Sequence, residues 1–317
     1  MSFTITLGES PFWDAETQIL YFLDVHDQYI IKYTPATNSY VKAHVPIKGS
    51  LGSITPIEGR QNEFLIGASR GIARIKWDGI SNKIKKLDIF AELPETNPKY
   101  MRLFNNARVD YSGQLWIGCF VMNPFTGVLH VFQNAGGLFK VQPNRSLTQY
   151  VDGLTMPSGF DWNKKQNKFY FVNTFPGEIL EFDYNPNTTE LCKILEFDYN
   201  PNTSELSNKK ICFTFENNSV DGAPAGMAID ERDNLWIACF HGGKIVNINP
   251  RIPNTIIRTI DMPVNASSAV AFGGPELDQL YVTTPSSSGV HNPMGGGRVY
   301  KITGLGVRGY PGRKFKL

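Results

Sequence analysis

Six positions share one phase relative to a recurring signal in this chain: Glu9, Ser53, Asn105, Ser158, Ala225 and Ser268 each precede an apolar, aromatic-containing triplet by ten to twelve residues. Brought to one place, a carboxylate, a carboxamide and several hydroxyls would make an oxygen-lined site, the kind that holds a hard cation or orients a polar small molecule. A calcium-type ion takes six or more oxygen ligands, and this set contains a single carboxylate, Glu9. Activation of water needs a positioned base, and no residue of the set other than Glu9 offers one. An isolated Glu9 would be an expensive buried charge, so its carboxyl is expected to be protonated, solvated or paired with a cation held by another loop.

The elements that must position these residues are legible from the triplets. Leu20-Tyr21-Phe22, Phe64-Leu65-Ile66, Leu115-Trp116-Ile117, Phe169-Tyr170-Phe171, Leu235-Trp236-Ile237 and Leu280-Tyr281-Val282 recur along the whole chain, several behind a polar turn such as Asp230-Glu231-Arg232-Asp233-Asn234. Self-similarity at this period is the signature of a propeller or solenoid. Gly and Pro punctuate short β-branched and aromatic runs, and helical periodicity is almost absent. The expectation is an all-β fold: a six-bladed β-propeller of four-stranded antiparallel blades, closed by N- and C-terminal strands, with Val299-Tyr300-Lys301-Ile302 lying beside the first strand. The six phased residues then fall where inner strands face the central channel. One gap between triplets is long because Ile179–Leu191 is repeated almost unchanged as Ile194–Leu206. Residues 1–317 are accordingly read as one propeller domain, with a duplicated hairpin at about 179–206 that leaves the blade count unchanged.

Charge narrows the partners. With 31 Lys and Arg against 29 Asp and Glu, and no basic cluster, neither nucleic acid nor an anionic membrane surface is favoured, which leaves a small molecule. The N-terminal stretch has neither a charged leader nor a long apolar run, and the four cysteines lack Cys-x-x-Cys spacing, so a cytoplasmic protein with reduced thiols is expected.

Gly8-Glu9-Ser10-Pro11-Phe12-Trp13, Gly159-Phe160-Asp161-Trp162, Gly226-Met227-Ala228-Ile229-Asp230, Ala271-Phe272-Gly273-Gly274-Pro275 and Ile302-Thr303-Gly304-Leu305-Gly306-Val307 resemble the regucalcin, gluconolactonase and luciferin-regenerating enzyme family, the tail being closest to its insect luciferin-regenerating branch. The resemblance implies a six-bladed propeller whose channel holds one divalent cation, Ca2+ or Zn2+, and hydrolyses sugar lactones. It also implies roles for individual residues. Glu9 stands at a metal-ligand position, but Ser158 replaces the family's ligand Asn, and Ala225 replaces the Asp that serves as ligand and general base. Leu103-Phe104-Asn105-Asn106 aligns with a sugar-orienting Arg-Phe-Asn-Asp, so Asn105 is kept while Leu103 and Asn106 depart.

Compensating donors are sought at Asp24, Asn123, Asn173, Asp221 and His241 on loops at the same mouth, although His241 in Phe240-His241-Gly242-Gly243 reads first as a solvated loop histidine. Phe120 and Phe240 follow Leu115 and Leu235 by five residues, and Phe175 falls close to the same place. They would line a mouth suited to a flat hydrophobic ligand, or simply pack between blades. The sequence thus favours a propeller that binds a small molecule, with no catalytic residue at the base position, no tightly bound cofactor and little or no lactonase activity. The alternative is a divalent-metal-dependent lactonase with an altered ligand set around Glu9 and Asn105, and the third reading is a protein-docking propeller.

Overall fold

In a computed structural model the chain forms six antiparallel sheets arranged as the blades of a β-propeller. The structure describes residues 4–93, 100–123, 125, 130–142, 144–165, 168–175, 177–185, 190–192, 210–286 and 295–317. The blades' innermost strands are Gly8–Asp14, Leu51–Pro56, Met101–Val109, Pro157–Trp162, Ala223–Ile229 and Ala269–Gly273. Every triplet read from the sequence lies on the second strand of its blade, within Ile19–Asp24, Glu63–Ala68, Leu115–Met122, Lys168–Asn173, Leu235–Phe240 and Gln279–Thr283. These strands carry near-continuous apolar runs because they are covered on both faces by neighbouring blades.

The turn preceding the triplet has a specific chemistry in two blades. Asp230 Oδ1 accepts from Arg232 N and Asn234 N, both at 2.9 Å, while its Oδ2 accepts from Trp236 Nε1 at 3.0 Å. Asp110 repeats this with Ser112 N, Gln114 N and Trp116 Nε1. One carboxylate therefore closes the turn and satisfies the buried indole of the strand that follows, which explains why acid and tryptophan recur six residues apart.

Blade four shows where the duplication begins. Its third strand, Glu178–Asn185, pairs at one end with Glu190–Cys192 and at the other with Lys210–Thr214, so two short segments share the outer edge. The added copy read as a hairpin, Ile194–Leu206, lies outside the described residues. Ring closure differs in detail from the expectation. Val299–Ile302 pairs with Gln279–Thr283 within blade six and does not lie beside Gly8–Asp14. The N-terminal segment reaches the same blade, with Ile5 N donating to Gly297 O at 2.8 Å and Leu7 bridging Pro285. The closing junction itself is made by inner strands, where Ser268 Oγ donates to Gly8 O.

Candidate functional site

Five of the six inner strands carry one extra residue relative to their partner strand, and the extra residue falls at or next to the phased positions. The register slips between Glu9 and Phe12, Leu51 and Ser53, Phe104 and Ala107, Pro157 and Phe160, and Pro224 and Met227. Such bulges bend a strand and redirect a side chain, and they concentrate near active sites. Glycines inside a strand pattern are their sequence signal, and Gly52, Gly159 and Gly226 stand next to Ser53, Ser158 and Ala225.

A circuit of contacts joins neighbouring blades at this level. Ile54 N donates to Ser10 Oγ at 3.0 Å, Phe104 N to Ser69 O at 2.6 Å, Asn105 Nδ2 to Pro157 O at 2.7 Å, and Gly226 N to Ser268 O at 2.8 Å. Between blades four and five the backbones themselves meet at Gly159 and Met227.

Within that circuit the candidates separate into two groups. Glu9 and Asn105 keep partial exposure, whereas Ser53, Ser158, Ala225 and Ser268 are buried. Ser268 is spent on the blade junction, its hydroxyl bonded to Gly8 O and to Thr283. Ser158 Oγ lies 2.6 Å from Thr174 Oγ1 and 3.5 Å from Asn105 Nδ2. Ala225 packs in an apolar cluster with Phe240 and Ile245. Leu103 and Asn106 are buried on the same inner strand as Asn105.

The loop donors considered from sequence are largely committed to backbone. Asp24 accepts from Thr6 N and Leu7 N, and Asn173, at the equivalent place in blade four, accepts from Thr155 N and Met156 N. Asn123 Oδ1 accepts from Phe125 N. His241 packs edge-on against Phe240 with centroids 4.5 Å apart, and burial lowers its pKa, which favours the neutral imidazole. Phe120 is buried and pairs with Leu103, and Phe240 pairs correspondingly with Ala223. Phe175 departs from the expectation: it is exposed, and the register puts Thr174 at the place equivalent to Phe120 and Phe240. The same five-residue spacing after Phe169 points to Thr174; what the sequence does not show is its contact with Ser158.

Glu9 is the group whose chemistry is most altered. It is half-buried by accessible surface, yet crowded enough by protein atoms that burial raises its carboxyl to about 7, against a weaker opposing hydrogen bond from Ser10 N at 3.2 Å. A carboxyl that titrates near 4.5 when unfolded and near 7 when folded keeps its proton longer in the native state. The protein therefore loses stability as pH rises from 4.5 towards 7, by at most about 3 kcal/mol once both states are ionised. Glu9→Gln is expected to abolish that loss, making the variant the more stable protein at pH 8 and not at pH 4. Denaturant unfolding at both pH values checks this, and equal pH slopes for the two proteins would refute the assignment.

The donor set can be compared with what a hard dication requires. The ring supplies one carboxyl that holds its proton close to neutrality, a carboxamide whose nitrogen is bonded to Pro157 O, and a serine hydroxyl engaged by Thr174. No group of three or more His, Cys, Asp or Glu residues arranged for a metal occurs among the described residues. These residues do not fit a tight calcium or zinc centre. The cysteines offer no alternative: Cys119, Cys212 and Cys239 are buried, and burial is the first cause that pushes each thiol up to about 12.

Residues 7–193 and 189–286 match the family model described as SMP-30/Gluconolactonase/LRE-like region, the break between the two matches falling at the duplication. Regucalcin of Xenopus laevis is 27% identical over 315 residues, covering 98% of this chain and 94% of the relative. Regucalcin of Danio rerio is 26% identical over 309 residues, covering 96% and 93%. Among solved structures, a luciferin-regenerating enzyme superposes with TM-score 0.86 at 30% identity, covering 99% of this chain and 97% of that one. A calcium-binding regucalcin from Agrobacterium tumefaciens shares the fold, with TM-score 0.79 at 19% identity over 99% and 95% of the two chains.

Proposed function

Because the chain belongs to the SMP-30/gluconolactonase/LRE-like family, we propose that it is a family propeller which binds a small molecule in its channel and has little or no lactonase activity. The observation that carries this reading is the state of the family's functional positions. Ala225 puts a methyl group in an apolar cluster where the resemblance calls for the base, and Ser158 is tied to Thr174 where it calls for an amide ligand. The ring has thereby lost both the charge that would hold a dication and the group that would activate water.

The side chains that remain suit recognition. Asn105 and the partly exposed Glu9 give a polar floor, while buried Phe120, with Phe240 and His241, gives an apolar, uncharged wall. A flat, largely hydrophobic ligand with one or two hydrogen-bonding groups matches that lining better than a polyhydroxylated sugar. No described helix is long and apolar enough to cross a membrane. Three buried, unpaired cysteines among the described residues support a reducing, cytoplasmic setting. The surviving Glu9 and Asn105 keep a metal-dependent lactonase with an altered ligand set as the reading to be tested against.

Calorimetry with calcium, zinc and manganese, paired with gluconolactone hydrolysis corrected for its spontaneous background, decides between them. The expected result is no tight cation site and turnover at background with every metal. Micromolar or tighter binding abolished by Glu9→Gln, together with metal-dependent turnover, would return the lactonase reading to first place.

A further inference from the structure

About three residues further along five of the six inner strands, and one to two along Leu51–Pro56, roughly 10 Å from the ring at ordinary strand rise, lies a second, partly open chamber. It is a cavity of about 50 Å³ whose lining includes Phe12, Arg108, Asp161, Phe272, Tyr310 and Arg313. Its floor is the C-terminal tail, which crosses the end of the propeller opposite the ring. Phe315 N donates to Pro56 O at 2.9 Å and Lys316 N to Gly113 O at 2.8 Å, while Gly309 bridges Asp230.

The charge in this chamber does not balance. Arg313 forms an ion pair with Asp161 and donates Nε to Val109 O. Arg108 donates Nη2 to Met227 O at 3.2 Å, a neutral acceptor. Two guanidiniums against one carboxylate leave a surplus of one positive charge among the charged lining residues. Nearby acids are occupied elsewhere: Asp110 and Asp230 close their turns and hold tryptophan indoles, and Asp14 pairs with Lys314 at 3.2 Å. Burial lowers the pKa of Arg108, the nearby Asp161 carboxylate opposes this, and repulsion from Arg313 adds to it. Two further donors, Trp13 Nε1 and Tyr310 OH, belong to lining residues and are buried without a protein hydrogen-bond partner. A guanidinium has five N–H donors, and a buried cation gains most from an anion that accepts them. A cavity of about 50 Å³ has room for a few water-sized bodies, which suits a small anion.

We propose that this chamber binds a small monovalent anion, a halide or a short carboxylate, held by Arg108 and Arg313 above the C-terminal tail. The site is separate from the ring and does not depend on the function assigned to it. Because Arg313 belongs to the tail, the anion fastens the tail to the inner strands and stabilises the closed propeller.

The test is thermal unfolding of the full chain at constant sodium concentration, exchanging isethionate, too large for the chamber, for chloride, bromide or formate. Once the site is filled, the unfolding temperature should rise by about 2 °C for each tenfold increase in the small anion, and Arg108→Met should lose that dependence. Bromide-soaked crystals should show an anomalous peak beside Arg108, a readout that stands even if the variant does not fold. A response to formate alone would assign a carboxylate, and a response to halides alone a halide. Indistinguishable unfolding in chloride, formate and isethionate, together with a chamber that holds no bromide, would overturn the proposal.

Discussion

Ser158→Asn combined with Ala225→Asp is expected to raise divalent-cation affinity by on the order of tenfold or more over the natural chain, measured by calorimetry with calcium, zinc and manganese. The first change returns a neutral oxygen donor. The second adds a carboxylate on the inner strand of blade five, so the cation would meet two carboxylates in place of one. Bulges and the circuit of inter-strand hydrogen bonds fix the backbone at these positions, so new side chains start from the placement that the fold imposes. Binding must displace the proton that Glu9 holds up to about 7, so the affinity should climb with pH through neutrality. Thr174 adds a condition that was not visible in the sequence. Its hydroxyl sits 2.6 Å from Ser158 Oγ, in space that an asparagine would need, so adding Thr174→Ala should tighten binding further. Lactone hydrolysis should recover less than metal affinity, because buried Leu103 and Asn106 stand where the resemblance places groups that orient a sugar, and misplacement is costly to rate. A folded double variant whose affinity is unchanged would show that the channel has been remodelled beyond its ligands.

Gly159→Ala is expected to cost about 3 kcal/mol or more, or to prevent folding, as read by denaturant unfolding. A Cβ at this position would lie 2.2 Å from Met227 N and 2.8 Å from Gly226 C. Both obstacles are backbone of the neighbouring blade's inner strand, so relief requires two blades to move apart, not one side chain to rotate. Gly304 is the control: its φ is +73° but nothing lies within 4 Å of an added Cβ, so alanine there should cost only the left-handed penalty of about 1–2 kcal/mol. Equal losses at the two sites would contradict the close inter-blade packing described here.

Sequence alone determined much of this molecule because its information is periodic and local. Each apolar triplet from Leu20 to Leu280 reports a second strand buried on both faces, and each Asp-turn-Trp unit is satisfied within six residues, so blade number and strand order survive without knowledge of contacts. The identities of Glu9, Ser158 and Ala225 are likewise readable, since a side chain's chemical type is the same in any conformation. Tertiary structure decided what depends on register and on the meeting of distant segments. The place of Thr174, five residues after Phe169, follows from spacing, but its contact with Ser158 arises only where pairing and bulges bring the two strands together. Burial by several strands at once raised the Glu9 carboxyl, a sum over atoms remote in sequence. The chamber of Arg108, Asp161 and Arg313 joins residues more than 150 positions apart across the tail, and no local pattern carries the charge balance of groups that meet only when the ring closes.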